Sequence, residues 1–382
     1  MEKYSSQKVI IDQGGINTLG ALLDDLKAVT IFFVVDKPAY EFSGAAESLQ
    51  QCFRNRKVTW FSDFELNPKL EDVARGKELF LQQKPDVVIA FGGGSALDMG
   101  KLIASCSVQQ ADLLELVTGK VALESESPPL IAIPTTSGTG SEATHFAVVY
   151  VGEKKYSLAD KNVLPEYVLI DPGLTHSLPP DPTASSGLDA LCQAIESIWS
   201  VGANKESVSY AKEALQLALD YIEQAVNAPT PEARMNMARA AYLAGKAINI
   251  TKTTAPHAFS YGVTTRYGVP HGKAVALTLT SFLEFNYHVD DASCNDPRGV
   301  SSVKSRIKEE ILKLLGDGSM EQAKARLDEI KKSVGSPLRL SEVGIKQEDI
   351  PELVDMVNLE RLSNNPRKIT KPEMEAMLKN IL

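Results

Sequence analysis

Apolar residues in the first part of the chain occur in short continuous runs separated by amphipathic stretches. Residues 28–36 form an almost unbroken apolar run that ends in an acid, and residues 58–61 are short and β-prone. Residues 86–91 run directly into glycines, and residues 130–133 run into a proline. Apolar strands that alternate with helices are typical of a parallel sheet covered on both faces. The pattern predicts an α/β domain over residues 1–180.

After about residue 181 the strand signals become scarce and a helical period replaces them. Apolar residues recur three or four positions apart in residues 215–226 and 235–242. Pro180 and Pro182 lie at the change and suit a domain boundary. The pattern predicts an all-α domain over residues 181–382.

The composition is that of a folded globular protein with an acidic surface. The chain has 382 residues, 43% of them hydrophobic and 23% charged, and a formal net charge of −9. Because nucleic-acid phosphates need a basic face, this charge argues against nucleic acid as the main partner. The four cysteines are far apart and form no disulfide or metal pattern, as expected of reduced thiols. The first seven residues carry no apolar segment, and no run of about 18 apolar residues occurs, so we expect a cytoplasmic protein without a membrane partner.

Two loops that follow predicted strands carry the residue types of a nucleotide site. Residues 92–94 are all glycine and precede a helix, so backbone N–H groups and the positive helix end can face a pyrophosphate. Residues 134–142 offer hydroxyls and glycines at the same sheet edge, where open α/β sheets bind ligands. Asp36 ends the first long strand and suits the ribose hydroxyls of a dinucleotide. The alternative is that Asp36 only caps a helix or a turn.

Two histidines and one acid predict a metal site. His257 and His271 are two of only five histidines, and each directly follows a proline. Asp189 and Gln193 are four positions apart, so they share one face of a predicted helix. A carboxylate and imidazoles are ligands that divalent transition metals prefer. We expect Asp189, His257 and His271 to bind one divalent ion, with Gln193 facing it; the alternative is a pair of core histidines with internal partners.

These motifs resemble those of the iron-containing, or group III, alcohol dehydrogenases over nearly the whole chain. The pattern Gly-Gly-Gly-Ser-x-x-Asp-x-x-Lys occurs at residues 92–101, and Pro-Thr-Thr-x-Gly-Thr-x-x-Glu occurs at residues 134–142. The metal helix and its two downstream histidines occur at Asp189, His257 and His271. The resemblance implies a dehydroquinate synthase-like fold, in which an α/β dinucleotide-binding domain precedes a helical metal- and substrate-binding domain. It also implies a homodimer that uses NAD(H) and a divalent metal.

The cofactor contacts of the family fall on residues that this sequence shares. The resemblance implies pyrophosphate contacts by Gly93, Gly94, Ser95 and Asp98. It implies nicotinamide-side and ribose contacts by Thr135, Thr136, Thr139, Thr144 and Lys155. The ribose-selecting acid corresponds to Asp36, which favours NAD(H), with NADP(H) as the alternative.

Two positions depart from the family pattern. Gln193 stands where most members carry a fourth ligand, histidine, and an amide oxygen is a weaker and harder ligand than imidazole. Tyr261 stands where several relatives carry another histidine. The resemblance implies Fe²⁺, and the lost imidazole leaves weaker binding, Zn²⁺ or Mn²⁺ as alternatives.

A narrower resemblance concerns the substrate. Residues 192–200, 251–261 and 295–299 look like the phosphonoacetaldehyde reductase branch of the family, whose members make 2-hydroxyethylphosphonate. We therefore expect a metal-dependent, NAD(P)H-linked aldehyde reductase, or alcohol dehydrogenase, that reduces phosphonoacetaldehyde. The alternatives are a reductase of another small aldehyde, a cyclase or lyase of the same fold that uses NAD transiently, and a nucleotide-binding protein that has lost its metal.

Two further side chains are candidates for catalysis. Lys252 precedes His257 by five positions and suits a phosphonate dianion, with Thr253, Thr254 or Arg266 as additional candidates. Tyr261 suits the relay of a proton to the product alkoxide. Ribose hydroxyls of the cofactor or a chain of waters are the alternatives for that relay.

Overall fold

The computed structural model describes residues 7–357 and 359–382, and the chain divides into two units between Leu178 and Pro179. The boundary expected after residue 180 falls at the first residue of the helix that opens the second unit. Each unit has hydrophobic clusters of its own. No helix of the described residues is both long enough and apolar enough to cross a bilayer.

A six-stranded parallel sheet is the frame of the first unit, and a two-stranded antiparallel hairpin accompanies it. The strands are β1 (Lys8–Ile11), β2 (Thr30–Val35), β3 (Lys57–Phe61), β4 (Val87–Gly92), β5 (Leu130–Pro134), β6 (Phe146–Val151), β7 (Lys154–Ala159) and β8 (Tyr167–Ile170). The sheet has the order β1-β8-β5-β4-β2-β3, and β6 pairs with β7 in the hairpin. The predicted parallel sheet is confirmed.

Helices cover the sheet on both faces. The helices of this unit are α1 (Leu19–Asp25), α2 (Lys37–Phe42), α3 (Ala46–Phe53), α4 (Leu70–Gln83), α5 (Gly94–Ser107) and α6 (Leu113–Val117). Along β2, Phe32 and Val34 belong to the cluster that contains residues of α4 and α5. Ile31, Phe33 and Val35 belong to the cluster that contains residues of α1 and α3. Because successive side chains point to opposite faces, a strand buried on both sides requires the continuous apolar run seen in the sequence.

The strand order reverses between β2 and β4. The chain runs from β2 outward to β3 and then returns to the other side of β2 as β4, so the carboxyl ends of β2 and β4 are neighbours. The backbone N–H of Asp36 donates to the carbonyl of Phe91 at 2.9 Å and fixes the two loops at this point. Open α/β sheets bind ligands at such a switch point, so the glycine loop after β4 occupies a favourable position.

The second unit is predominantly helical in the residues that the structure describes, with one isolated β-bridge between Cys294 and Arg367. Its helices are α7 (Pro180–Trp199), α8 (Lys205–Asn227), α9 (Pro231–Thr251), α10 (Ala255–Tyr267), α11 (His271–Tyr287), α12 (Val300–Arg306), α13 (Lys313–Leu315), α14 (Met320–Ser333), α15 (Ile350–Asp355), α16 (Leu359–Ser363) and α17 (Lys371–Asn380), with a π-helical segment, Ile307–Leu312, between α12 and α13. Every residue of α7 from Gly187 to Trp199 is buried. This helix therefore forms the centre of the unit, and polar residues on it are costly unless they have partners.

Candidate functional site

Asp189, His257 and His271 meet in the second unit. Asp189 lies in the buried part of α7, His257 in the first turn of α10, and His271 is the first residue of α11. One ligand atom from each of the three lies within 4.8 Å of the others. Each histidine directly follows a proline at a helix start: Pro256 lies in the first turn of α10, where its missing N–H leaves no bond unmade, and Pro270 directly precedes α11.

A glycine lets α11 approach α7 closely at this point. A Cβ at Gly272 would lie 1.8 Å from the carbonyl oxygen of Ser185 and 2.8 Å from the backbone nitrogen of Asp189. Any side chain at residue 272 would push the two helices apart. Since His271 and Asp189 stand at this contact, Gly272 fixes the distance between the two candidate ligands.

A buried carboxylate that sequence reasoning missed holds His257. Nδ1 of His257 hydrogen-bonds with Oε1 of Glu196, which is fully buried. The other carboxylate oxygen accepts from the backbone N–H of Thr254 at 2.7 Å and from its hydroxyl at 2.8 Å. Glu196 thereby orients the ring so that Nε2 points at Asp189 Oδ1, 3.2 Å away. A carboxylate that hydrogen-bonds to the far nitrogen of a histidine is the usual support of a metal ligand.

The charges around His257 prepare the site for a cation. Burial alone would lower the pKa of His257, but the charge of Glu196 and the hydrogen bonds to Asp189 and Glu196 raise it to about 10. Burial alone would raise the pKa of Asp189, but the hydrogen bond to His257 and the charge of His271 hold it below its ordinary value. Two buried carboxylates thus share one cationic group. A divalent ion can replace the proton of His257, with proton release on binding.

Gln193 and Tyr261 lie beside the three candidate ligands. Gln193 is buried one turn after Asp189, and its Nε2 donates to Asp189 Oδ1 at 3.1 Å. The ring of Tyr261 is nearly parallel to the ring of His271, with centroids 6.2 Å apart and an angle of 8°. Ser260 Oγ donates to the carbonyl of His257 at 2.8 Å and lies 3.4 Å from Nδ1 of His271. Both predicted neighbours therefore lie at the site. The amide nitrogen of Gln193 hydrogen-bonds to Asp189, and the ring of Tyr261 stacks beside that of His271.

The donor set fits a divalent transition metal. It consists of one carboxylate and two imidazoles that belong to three different helices, and Asp189 and His257 are almost fully buried. Two histidines and a carboxylate form the protein part of many Fe²⁺ sites and of zinc sites that keep a position open for substrate. The arrangement can thus bind an ion and leave it accessible to a small ligand.

In the first unit, Gly92 and Gly94 pack so closely against neighbouring loops that only glycine fits at these two positions. Gly92 has a φ of +147°, and a Cβ there would lie 2.6 Å from the Cβ of Asp36. A Cβ at Gly94 would lie 2.7 Å from Cγ2 of Thr139, and one at Gly93 would lie 3.4 Å from Cγ2 of Thr136. Helix α5 begins at Gly94, so the first turn of the helix lies beside the loop that contains Thr136 and Thr139. The N–H groups of a first helical turn suit a phosphate group.

Hydrogen bonds with side chains of α5 hold the loop before β6 in place. Asp98 accepts from the hydroxyl of Ser141 at 2.5 Å and from the backbone N–H of Val148 at 2.9 Å. Lys101 is fully buried and donates to Thr144 Oγ1 and to the carbonyl of Phe146, both at 2.9 Å. Asp98 and Thr144, both expected to contact the cofactor, therefore also bind α5 to the segment before and within β6.

The remaining predicted cofactor residues occupy these loops and the hairpin. Thr135 is buried and donates its backbone N–H to the carbonyl of Gly92 at 3.0 Å. Ser95 Oγ accepts from the backbone N–H of Asn67 at 3.1 Å. Lys155 lies half-buried on β7. Asp36 caps α2, since its side chain accepts from the backbone N–H of Ala39 at 3.2 Å, which leaves its contact with a ribose a prediction.

Lys252 lies at the end of α9 and is exposed between buried neighbours. Its φ is +58° and its ψ is 176°. Thr254 is two residues further on and shares Glu196 with His257. Arg266 is exposed and forms an ion pair with Glu352.

Comparison with known proteins decides the family. Residues 6–172 match the family model of the iron-containing alcohol dehydrogenases, and residues 183–382 match the C-terminal model of the same family. The chain belongs to the iron-containing alcohol dehydrogenase family. Members of this family are oxidoreductases that act on CH–OH groups.

Three relatives show where the chain stands within the iron-containing alcohol dehydrogenases. The chain is 32% identical to the phosphonoacetaldehyde reductase of Streptomyces viridochromogenes over 77% of its own length and 76% of that protein. It is 31% identical to the 1,3-propanediol dehydrogenase of Klebsiella pneumoniae over 85% and 83% of the two chains. The crystal structure of sulfoacetaldehyde reductase from Bifidobacterium kashiwanohense, in complex with NAD⁺, is similar with a TM-score of 0.89 at 30% identity, covering 98% of this chain and 96% of the other.

Proposed function

We propose that this protein is a metal-dependent reductase that uses NADH to reduce phosphonoacetaldehyde to 2-hydroxyethylphosphonate. The observation that carries the proposal is the convergence of Asp189, His257 and His271, with Glu196 orienting one of the imidazoles. In the reaction the aldehyde, NADH and one proton give the alcohol and NAD⁺. Reductases of phosphonoacetaldehyde and of sulfoacetaldehyde among the relatives support an aldehyde that carries a tetrahedral anion.

Each part of the chain has a defined task in this proposal. Asp189, His257 and His271 hold the divalent ion, and Gln193 orients Asp189 or offers its amide oxygen as a further ligand. A divalent ion in such a site supplies Lewis-acid polarisation of a carbonyl, and the nicotinamide supplies the hydride. Tyr261, whose ring lies against His271, donates the proton that the product oxygen gains.

The first unit binds the dinucleotide. We assign the pyrophosphate to the N–H groups of Gly93, Gly94 and Ser95 at the start of α5, where the helix dipole favours an anion. Thr135, Thr136, Thr139 and Lys155 are assigned to the ribose and nicotinamide side, while Asp98 and Thr144 hold the loops. Asp36 favours NADH because a 2′-phosphate beside its carboxylate is repelled. A cytoplasmic location and a homodimer stay predictions, as does the choice of Fe²⁺ over Zn²⁺.

The test is a rate measurement on the purified protein loaded with Fe²⁺ or Zn²⁺. NADH oxidation is followed by absorbance with phosphonoacetaldehyde and, separately, with propanal, which has a similar size and no charge. We expect a higher kcat/KM with phosphonoacetaldehyde, and 2-hydroxyethylphosphonate as the product. Faster turnover of propanal would contradict the assignment of phosphonoacetaldehyde as the substrate. The absence of net NADH consumption with any aldehyde would contradict the reductase activity and favour a cyclase that uses NAD transiently.

A further inference from the structure

Thr254 stands at the start of a helix but does not cap it. It directly precedes α10, whose first turn contains Pro256 and His257, and its side chain forms no cap hydrogen bond. A threonine at this position usually accepts from a backbone N–H of the first turn, because those N–H groups have no partner within the helix. Thr230, which precedes α9 in the same way, accepts from the backbone N–H of Ala233 at 3.1 Å. The hydroxyl of Thr254 has other partners.

The hydroxyl of Thr254 lies between two side chains of α7. Its Oγ1 donates to Oε2 of Glu196 at 2.8 Å and accepts from Nε1 of Trp199 at 2.9 Å. Glu196 and Trp199 are three positions apart, so they lie on one face of α7. Because all three residues are fully buried, each of their polar groups depends on a partner within the protein.

The donors and acceptors of these three residues determine the direction of both bonds. The indole N–H of Trp199 can only donate, so Oγ1 of Thr254 must accept from it. The single proton of the hydroxyl is then available for Glu196, whose carboxylate oxygen accepts. Trp199 therefore directs the hydroxyl of Thr254 at Glu196.

These bonds reach the candidate metal ligand His257 through Glu196. Oε2 of Glu196 also accepts from the backbone N–H of Thr254 at 2.7 Å, so two bonds from one residue hold this oxygen. Since a carboxylate is planar, holding Oε2 also limits the direction in which Oε1 meets Nδ1 of His257. The orientation of the ring in turn determines how Nε2 faces Asp189.

The backbone that precedes Thr254 is fixed as well. Nδ2 of Asn364 donates to the carbonyl of Thr251 at 2.6 Å and to the carbonyl of Thr253 at 3.0 Å. Oδ1 of Asn364 accepts from Ser200 Oγ at 2.9 Å, which joins this segment to the end of α7. Thr254 thus has a fixed position beside the helix that carries Asp189.

We infer that Thr254 is a positioning residue of the metal site, which orients His257 through Glu196, and that Trp199 directs the hydroxyl of Thr254. The inference rests on the proposed metal-dependent reductase and adds to it the residues that hold one ligand in its binding orientation. Hydrogen bonds outside the ligand set orient metal-binding histidines and change metal affinity when they are removed. A hydroxyl that forgoes the ordinary helix cap for such a bond agrees with this role.

The experiment measures metal affinity and the ligand geometry of the bound ion. The apoprotein is titrated with Co²⁺ against a chromophoric chelator, and the visible absorption bands of bound Co²⁺ report the geometry of its ligands. Thr254→Val replaces the hydroxyl by a methyl group of similar size and should weaken Co²⁺ binding about tenfold, with a change in the bands. Thr254→Ser keeps the hydroxyl and should retain the affinity and the bands of wild type.

Thr230→Val is the matched control. Thr230 and Thr254 both precede helices with a proline in the first turn, but Thr230 only caps its helix. Loss of that cap should lower Tm by about 2–6 °C and leave Co²⁺ binding unchanged.

A double-mutant cycle tests the part of Trp199. Trp199→Phe removes the N–H group and lets the hydroxyl of Thr254 turn away from Glu196, so the Co²⁺ affinity should fall about two- to fivefold. In the Thr254→Val background the same substitution should cause no further fall, because no hydroxyl remains to be directed. An equal fall in both backgrounds overturns the part assigned to Trp199.

The outcomes separate this inference from the proposed function. Co²⁺ affinity in Thr254→Val within twofold of wild type overturns the inference, and so does an equal loss in Thr230→Val or in Thr254→Ser. The titration contains neither NADH nor aldehyde, so a wild type that binds Co²⁺ but reduces no aldehyde contradicts the reductase and leaves the inference intact. A wild type that binds neither Co²⁺ nor Zn²⁺ overturns both.

Discussion

Replacement of Glu196 by glutamine should weaken metal binding without removing any ligand. Glu196 accepts from Thr254 through one oxygen and binds Nδ1 of His257 through the other, with no exposure to solvent. A glutamine has one oxygen and one NH₂ group, which donates only. The amide therefore cannot serve both partners, and the consequence depends on which partner keeps the oxygen.

If the oxygen stays on Thr254, the NH₂ group faces Nδ1 of His257. Nδ1 must then accept, and the proton of the neutral ring moves to Nε2, the nitrogen that faces Asp189 at 3.2 Å. A protonated Nε2 cannot bind a metal. If the amide turns the other way, the buried N–H of Thr254 loses its acceptor, at a cost of about 1–3 kcal/mol.

The expected loss of metal affinity is about 10- to 100-fold, which corresponds to roughly 1.4–2.7 kcal/mol. The assay is a competition titration of the apoprotein with Zn²⁺ or Co²⁺ and a chromophoric chelator, with circular dichroism to establish that the variant is folded. Glu310→Gln is the control, because Glu310 lies in the same unit and pairs with Lys212 at 2.6 Å. Wild-type affinity in Glu196→Gln would refute the reasoning, and an equal loss in both variants would indicate general destabilisation.

Three further predictions concern other parts of the chain. Gln193→His should raise the affinity for Zn²⁺ and Co²⁺ in the same titration by supplying a third imidazole, and unchanged or weaker binding would place residue 193 outside the ligand set. Asp36→Gly should lower the ratio of kcat/KM with NADH to kcat/KM with NADPH roughly tenfold. The free energy of unfolding should fall by only a few tenths of a kcal/mol, because glycine is also accepted as the cap of α2. An unchanged ratio would mean that Asp36 only caps the helix. Burial raises the pKa of Glu142 to about 7 from 4.5, so the folded state holds its proton longer than the unfolded state and the free energy of unfolding falls as pH rises from about 4.5 to 7. Glu142→Gln should flatten this decline, on the order of 3 kcal/mol, in thermal unfolding between pH 4.5 and 8, and an unaltered slope would contradict it.

The central strands of the sheet were easier to predict from the sequence than the edge strand β1 and the hairpin. Strands β2, β4 and β5 are buried on both faces, so each shows a continuous apolar run. Strand β1 has only four residues and alternates between exposed and half-buried positions, which gives a weak signal. The hairpin of β6 and β7 was not predicted, although the sequence carries a local signal for it. Gly152, which has a φ of +58°, separates two β-prone segments.

The sequence reveals the candidate ligands and the residues that hold them in place by different signals. Asp189, His257 and His271 belong to residue types that bind metals, and the prolines before the two histidines and the family pattern single them out among the other acids and histidines of the chain. Glu196 stands seven positions after Asp189 in the buried part of α7, and that spacing was the signal for a polar stripe on one face. Asn364 gave no such signal, because its partners are more than 100 positions away and only the packed structure brings them together.

Helix α7 carries a stripe of buried polar residues that supports the candidate metal ligands. Its buried polar stripe begins with Asp189, continues through Glu196 and Ser197, and ends at Ser200. The first part orients the candidate metal ligands, and the last part holds neighbouring segments, because Thr251 Oγ1 donates to Ser197 Oγ at 3.1 Å and Ser200 Oγ donates to Asn364 Oδ1 at 2.9 Å. Because these residues are buried and have partners, a polar-to-apolar change on the stripe leaves a polar group without its bond in the core. Asp189 and Glu196 lie in the first part of the stripe, so substitutions at Ser200 should leave Asp189 and the two histidines in place as candidate ligands.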